Sequence, residues 1–369
     1  MQIARQQPQS ALWVGVAFPL HRSNCTFQPT CFSLEDLYYF TLPRSRSFIS
    51  SCTMDIQAFA REHVTQISAT IALVTYATTR KKLTPAGIVS GIIVAIIHMI
   101  HPWQAFFWLL MVFFLLGTVV TKIGHTKKAH LTQSATGGTG GEGARSAVQV
   151  FANSGWASIL IAIHAYLLRN KSPFISSVVP GLSAGPHFPV FEKLLPIGII
   201  AQYAAVAADT FSSELGILSK QNPFLITAPW KSVPKGTNGG VTIDGFKYAG
   251  LGSSLLVAVA IASLTLSPPH VDVQPQITVT LIAAGIAGSI IDSVLGALCQ
   301  VTVSDRGTGK VVEGPGGTRV KVLPGGTRVQ VGKDLLTNNG VNFVMAALAS
   351  LGAMGVAGVL GLELRALKG

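Results

Sequence analysis

A series of apolar segments separated by polar loops is the feature that most constrains the fold. A helix needs roughly 20 apolar residues to cross the hydrocarbon core of a bilayer. We therefore predict an all-α fold: a polytopic transmembrane helical bundle of about eight spans, with seven to nine compatible. The predicted spans, of which the first two are short and weak, are residues 64–79, 86–100, 103–120, 147–168, 194–216, 246–266, 277–299 and 341–362.

The composition is typical of a membrane protein, and the distribution of charge bears on whether the protein binds nucleic acid. Hydrophobic residues make up 49% of the 369 residues and charged residues only 11%, against about 25% in soluble domains. The net charge of +12 would suggest nucleic acid in a soluble protein, but here the Lys and Arg residues lie in loops. Alternate loops collect 17 of the 27, which the positive-inside rule places on the cytosolic side or its organellar equivalent. We therefore predict the lipid bilayer as a partner and no nucleic acid.

Two segments differ from the membrane domain predicted for residues 54–369. Residues 1–53 have the composition of a targeting segment or of an N-terminal extension preceding a start at Met54, and they receive no function. Within an insert at residues 303–335, GGTRVKV (316–322) is followed nine residues later by GGTRVQV (325–331). Alternating Val and basic residues after Gly-Gly predict a small Gly-rich β-hairpin outside the membrane. Its arginines are candidates for phosphate binding, although a solvated insert is favoured.

Three acids lie within or at the ends of predicted spans, where a charge is costly and usually functional. Asp209 and Glu214 belong to ADTFSSELG at the end of the fifth span. Five helical positions place them about 140° apart, so they can share a ligand only if the helix ends between them. Asp292 shares a helical stripe with three glycines, which favours an acid facing the bundle interior; the glycines are Gly285, Gly288 and Gly296. The alternatives are solvated acids and an acid retained for packing.

Two glycine-rich loops supply candidate phosphate-binding groups. Residues 231–240 read KSVPKGTNGG, and residues 137–145 read GGTGGEGAR and lead directly into the fourth span. Exposed backbone N–H groups and helix N-termini attract anions, although the same residues are ordinary in turns, and no P-loop ending is present. The candidates are Gly140, Gly141, Gly143, Arg145, Asn153, Lys235, Gly236, Thr237, Asn238, Gly239 and Gly240. The sequence NNGVN (338–342) predicts either a polar site or a helix start, and His98 and His101 are expected at the membrane interface.

The acids, glycine loops and asparagines all fall at one membrane depth on the basic side. This placement predicts a site for a divalent cation and a phosphorylated ligand. Mg²⁺ suits carboxylate and amide oxygens and bridges phosphate oxygens. A transporter remains open, because intramembrane acids also mark ion pathways. A structural membrane protein without catalysis is the third alternative.

Seven motifs together resemble the transmembrane protein 19 family, also called domain of unknown function 92. In chain order they are LTPAG, TKIGHTKK, GGEGARSAVQVFANSG, ADTFSSELG, WKSVPKGTNGGVTIDG, DSVLGALCQ and NNGVNF, and they cover roughly residues 60–362. Residues 1–53 and the repeat region at 307–332 fall outside the resemblance. DTFSSELG also looks loosely like the GDxxAS motif of polyprenol kinases that use CTP, with Ala208 in place of the Gly.

The resemblance implies an activity, because the plant plastid member of the family is a phytyl-phosphate kinase. The expected reaction is phosphoryl transfer from a nucleoside triphosphate, CTP or another, to a prenyl-phosphate lipid. It implies that Asp209, Glu214 and Asp292 hold Mg²⁺ and act as the catalytic acids. Arg145, Lys235 and the GTNGG backbone would neutralise phosphates, and Asn153 would orient them. An endomembrane such as the endoplasmic reticulum is the favoured location, with a plastid envelope as the alternative.

Overall fold

A helix forms at each of the eight predicted apolar segments. The computed structural model describes residues 56–136, 143–169 and 188–366. The described residues from Gln57 onward belong to one compact unit, and the extension expected at residues 1–53 lies outside the described residues. The helices are α1 (Ile56–Glu62), α2 (Val64–Thr79), α3 (Pro85–Ile100), α4 (Ala105–Lys122), α5 (His125–Ala129), α6 (Ala147–Arg169), α7 (Phe188–Gly216), α8 (Ile243–Leu266), α9 (Pro275–Cys299) and α10 (Asn338–Leu360).

Helix lengths agree with a polytopic bundle of about eight spans. Among the described residues, six helices are long and apolar enough to cross a membrane: α4, α6, α7, α8, α9 and α10. Helices α2 and α3 have 16 residues each, and they correspond to the two spans predicted to be short. The chain is therefore an integral, multi-pass membrane protein.

Helix α7 lies at the centre of the bundle and packs against α4, α6, α8, α9 and α10. In its most apolar stretch 83% of the residues are buried, compared with 28% in α9. The predicted small-residue stripe explains how α9 approaches α7 closely. A Cβ atom at Gly288 would lie 2.5 Å from the Cβ of Ala205, and one at Gly285 would lie 3.0 Å from the carbonyl oxygen of Ala204. Small residues at such contacts let two helix backbones approach.

Three helices begin at the same end of the bundle with the same local sequence, T-x-x-G. In each, the threonine hydroxyl accepts a hydrogen bond from the glycine N–H and so satisfies a donor that the helix leaves free. The pairs are Thr84–Gly87 in α3, Thr242–Gly245 in α8 and Thr337–Gly340 in α10. Helix α6 begins with a capping box, in which Ser146 and Gln149 exchange hydrogen bonds. The recurrence of T-x-x-G at these helix N-termini was not predicted from the sequence.

Short strands connect the loops. The strands are β1 (Gln133–Ser134), β2 (Phe224–Leu225), β3 (Ala228–Ser232), β4 (Gly240–Val241), β5 (Val271–Asp272), β6 (Thr302–Asp305), β7 (Val312–Glu313), β8 (Arg328–Val331) and β9 (Arg365–Ala366). Strand β2 pairs with both β3 and β4, β5 pairs antiparallel with β9, and β1 pairs parallel with β7.

The insert contains an antiparallel pair, but only one copy of the repeat takes part in it. The second copy supplies β8, which pairs with β6 at the start of the insert. The first copy instead begins in a 3₁₀ turn, Pro315–Gly317, in which Gly316 and Gly317 have φ angles of 64° and 74°. Two successive left-handed residues turn the chain, so no strand starts there.

Candidate functional site

A cavity of about 440 Å³ lies where the N-terminal ends of α6, α8 and α10 meet the C-terminal ends of α4, α7 and α9. This is the end of the bundle that carries the Lys- and Arg-rich loops. Arg145, Asn153, all three predicted acids and residues 235–240 line the cavity. Gly143 lines a neighbouring cavity of about 30 Å³ together with Lys82 and Arg145. The predictions for Gly140 and Gly141 lie outside the described residues.

Asp209 and Asp292 bring two carboxyl groups into contact between α7 and α9. Their side chains lie close enough to interact directly. The Oδ1 atom of Asp292 is buried and has no hydrogen-bond partner among the described residues. Two carboxyl groups in contact need a proton or a cation between them, because two adjacent negative charges repel strongly. The contact and the unsatisfied oxygen both fit a divalent cation.

Glu214 does not belong to this pair, and the predicted ligand set of three acids is therefore wrong. Helix α7 continues regularly through both positions to Gly216, so Asp209 and Glu214 point in different directions. The Glu214 carboxylate instead forms an ion pair with Lys128 and accepts a hydrogen bond from the hydroxyl of Thr121. The described part of the chain contains no group of three His, Cys, Asp or Glu residues placed to hold one metal ion.

Arg145 places an uncompensated positive charge at the cavity. Its backbone pairs with the α2–α3 loop, because Arg145 donates its N–H to Lys82 and accepts one from Thr84. Its guanidinium lies beside Gly117, where a Cβ would be 3.4 Å from Nη2, and 6.0 Å from the centre of the Phe114 ring. It forms no ion pair with any carboxylate in the described residues. A half-buried guanidinium in an apolar setting favours binding of an anion, and a phosphate matches its fork of donors.

Lys235, a predicted phosphate-binding residue, lines the cavity and bonds to backbone carbonyl groups of the protein. Its ammonium group donates to the carbonyl oxygens of Ile217 and Ser219, just beyond the end of α7. Carbonyl groups at the C-terminal end of a helix lack partners within the helix and carry partial negative charge, so they attract a cation. Two of the three N–H donors of Lys235 therefore bind carbonyl groups just beyond the C-terminal end of α7.

Residues 236–240 pack against the C-terminal end of α9 and the residues that follow it. Asn238 donates its backbone N–H to the Thr302 hydroxyl and its side-chain amide to the Val301 carbonyl. Thr237 and Gly240 donate their N–H groups within the loop. A Cβ at Gly239, whose φ is 75°, would lie 2.4 Å from the Cβ of Ala297 in α9. Most backbone N–H groups of this predicted phosphate-binding loop thus donate to other protein atoms, and Gly239 allows close packing against α9.

The asparagines contribute both a helix start and polar groups in the cavity. Thr337 caps α10, as one of the two predictions for NNGVN required. Asn342, one turn further along, donates its side-chain amide to the Oδ1 of Asn153 in α6 over 3.3 Å. This pair presents amide groups from two helices to the cavity.

Part of the cavity wall was not assigned to the site from the sequence. Gly314, Gly316, Gly317, Thr318, Arg319 and Val320 line the cavity, and all of them belong to the insert. No sequence signal separates this first copy of the repeat from the second, because both read PGGTRV. Only the fold distinguishes the two.

His98 and His101 are buried, contrary to the expectation that they lie at the interface. The ring of His98 bonds the hydroxyl of Tyr203 over 2.6 Å, and that of His101 bonds His164 over 2.8 Å. The burial of His98 could have been predicted from helical periodicity, because Ser90 and Val94, on the same face of α3, are also buried.

Comparisons with known proteins match most of the chain. The family described as integral membrane protein DUF92 matches residues 68–350. Protein PGR of Arabidopsis thaliana is 38% identical over 286 residues, covering 76% of this chain and 91% of that protein. An uncharacterized membrane protein of Methanocaldococcus jannaschii is 32% identical over 214 residues (58% and 73%). Protein VTE6, chloroplastic, of Arabidopsis thaliana is 27% identical over 215 residues (57% and 56%). No solved structure matches the chain.

Proposed function

The chain belongs to the integral membrane protein family DUF92, and from its cavity we propose that it is a prenyl-phosphate kinase. It would transfer a phosphoryl group from a nucleoside triphosphate, CTP or another, to a lipid monophosphate such as a phytyl-like phosphate. The proposal rests on one observation: a pair of acids suited to a divalent cation and an arginine suited to phosphate line the same cavity. The neighbouring acids Asp209 and Asp292 line the same cavity as Arg145, which forms no ion pair with a carboxylate in the described residues.

The carboxyl pair fits a magnesium ion. Asp209 and Asp292 would hold it, and the buried Oδ1 of Asp292 supplies an oxygen that has no other described partner. When bound, Mg²⁺ would neutralise negative charge on the phosphate groups.

Arg145 and the amide pair would position the phosphates. Arg145 matches phosphate oxygens with two parallel N–H donors. Asn153 and Asn342 face the same space from α6 and α10, whose N-terminal ends add a favourable field for anions. The surrounding helices expose many large apolar side chains, including Ile159, Ile290 and Leu298, and a prenyl chain would lie against such surfaces in the bilayer.

The reaction needs little proton transfer. An oxygen of the acceptor phosphate attacks the γ-phosphorus of the donor, a new P–O bond forms, and the bond from γ-phosphorus to the β,γ-bridging oxygen breaks. The nucleoside diphosphate leaves with that electron pair. The acceptor oxygen is already ionised near pH 7, since the second phosphate pKa is about 6. Positioning and charge neutralisation therefore supply the catalysis.

The compartment is a separate proposal. One relative carries the word chloroplastic in its name, so we propose a plastid membrane first. An endomembrane such as the endoplasmic reticulum is the alternative. Expression of the full chain with a C-terminal fluorescent tag distinguishes the two.

The test uses purified protein in detergent with Mg²⁺, labelled nucleoside triphosphates, and phytyl, farnesyl and geranylgeranyl monophosphates. We expect a lipid diphosphate product that is lost in Asp209→Asn and in Asp292→Asn. Asp272→Asn is the matched control, because Asp272 is exposed in β5 outside the cavity. Turnover that persists in both cavity variants would overturn the metal assignment.

A transporter is the second candidate, and one observation favours it. Asp292 lies inside a spanning helix with an unsatisfied carboxylate oxygen, and such acids often line ion or proton pathways. If folded protein turns over no donor–acceptor pair, ion flux in reconstituted vesicles becomes the decisive assay.

A further inference from the structure

The two copies of the repeat have the same sequence and different surroundings. Residues 315–320 and 324–329 both read PGGTRV. In the first copy, the Gly-Gly turn lies on the first turns of two helices. Asn339 of α10 donates its side-chain amide to the Gly316 carbonyl over 3.0 Å, and a Cβ at Gly316 would lie 3.6 Å from the Oε1 of Gln149 in α6.

The second copy stands away from the cavity. A Cβ at Gly325 would meet no atom within 4 Å, and the nearby Leu323 is 72% exposed. Arg328 donates to the carbonyl oxygens of Lys321 and Ala135, so it links the insert to the loop before α6. The second copy therefore supports the insert, whereas the first copy faces the cavity.

Arg319 gives the first copy a charged group suited to phosphate. Its Nε donates to the Oδ1 of Asp334 over 2.8 Å, which fixes the plane of the guanidinium. Both side chains line the cavity and are about half exposed, at 55% and 43%. An arginine held through Nε keeps N–H donors of its Nη groups on the edges of the guanidinium away from that carboxylate, and these donors can bind a second anion.

Two arginines from separate segments, Arg145 and Arg319, thus line the cavity. Arg145 directly precedes Ser146, the residue that caps α6. The first Gly-Gly turn contacts the same cap, since a Cβ at Gly316 would lie 3.9 Å from the hydroxyl of Ser146. A ligand with several linked phosphates offers an anionic group to more than one such segment, whereas a lipid monophosphate offers a single phosphate group.

We propose that the PGGTR turn at residues 315–319 is the polyphosphate-binding element for the phosphoryl donor, with Arg319 as a binding residue and Asp334 as its positioning residue. The inference rests on the proposed kinase activity but names the part of the site that takes the donor. The second copy, at residues 324–328, carries no ligand. Arg145 and the carboxyl pair remain at the transferred group.

Kinetics with the matched pair Arg319→Lys and Arg328→Lys test the proposal. Lysine keeps the charge but loses the planar fork. We expect Arg319→Lys to raise the KM for the nucleoside triphosphate about tenfold and to leave the KM for the lipid monophosphate within about twofold, which corresponds to the loss of about 1.4 kcal/mol of donor binding. Arg328→Lys should change neither KM by more than about twofold. Equal effects of the two substitutions, or a rise in the acceptor KM alone, would overturn the assignment.

A binding measurement separates this inference from the proposed activity. Inorganic tripolyphosphate should raise the thermal unfolding temperature of the parent and of Arg328→Lys, and should have a much smaller effect on Arg319→Lys. If the parent shows no kinase turnover but this pattern holds, the activity fails and the polyphosphate site stands. If tripolyphosphate does not stabilise the parent, or stabilises all three proteins equally, the site is refuted.

Discussion

The carboxyl pair of Asp209 and Asp292 makes the most direct test of the cavity. Two unit charges about 4 Å apart repel by about 4 kcal/mol at an effective dielectric constant of about 20. That repulsion opposes folding unless a cation or a proton lies between the groups. Asp292→Asn keeps the shape of the side chain, replaces one acceptor oxygen with an N–H donor group and removes one charge. We therefore expect this variant, in metal-free buffer, to unfold at a higher temperature than the parent.

Magnesium should stabilise the parent by relieving the same repulsion. A ligand at 100 times its Kd adds about 2.7 kcal/mol to the stability of the folded state, and each kcal/mol raises Tm by roughly 2 °C in a larger domain. We expect a rise of about 5 °C on replacing EDTA with saturating Mg²⁺, and a rise of less than about 1 °C in Asp292→Asn.

The assay is thermal unfolding in detergent, followed by the fluorescence of the native tryptophans. Asp272→Asn, which changes an exposed acid in β5, should keep the full response to Mg²⁺. An equal response in the parent and in Asp292→Asn would refute the metal site. A parent that gains nothing from Mg²⁺, together with an Asp292→Asn variant of reduced stability, would show that the pair is held together by a shared proton.

Two further predictions concern packing and charge pairing. Gly288→Ala places a Cβ 2.5 Å from that of Ala205, so we expect a loss of about 1–3 kcal/mol in thermal stability. Gly352→Ala is the control, since no atom lies within 4 Å of its added Cβ, and an equal loss there would contradict the argument. Glu214→Gln leaves the mostly buried Lys128 without its counter-ion, which should lower the unfolding temperature at low salt. The double variant with Lys128→Gln should recover most of that loss, and an additive loss would show that the pair is not coupled.

The bundle was predictable from the sequence because a bilayer imposes a length on each apolar segment. The location of the site was predictable for a related reason. Alternate spans return the chain to the same side, so motifs at the ends of α4, α7 and α9 must lie close to motifs at the starts of α6, α8 and α10. Asp209, Asp292 and Arg145 come together in this way although they lie in three different segments.

The role of an individual cation was not predictable, because it depends on which partners the fold leaves unsatisfied. Lys235 directly precedes one glycine-rich stretch and Arg145 directly follows the other, so both basic residues appear equally suited to bind phosphate in the sequence. Lys235 meets bare carbonyl groups beyond the end of α7 and bonds to them. Glu214 meets Lys128, 86 residues earlier in the chain, and is neutralised. Neither the contact of Lys235 with these carbonyl groups nor that of Glu214 with Lys128 is predicted by a local sequence pattern.

The repeat shows most clearly that tertiary contacts decide the role of a residue, because its two copies have the same local sequence, PGGTRV. Pro, Gly, Gly, Thr and Arg occur in the same order twice, and their intrinsic conformational preferences are identical. One copy turns onto the capped ends of α6 and α10, and the other leads into β8. The difference therefore comes from tertiary partners: Asn339 satisfies a carbonyl in the first copy, whereas β6 supplies a ladder to the second. Functional arginines in this protein are best sought among those that line the cavity once the fold has satisfied the backbone around them, and Arg145 and Arg319 both line it.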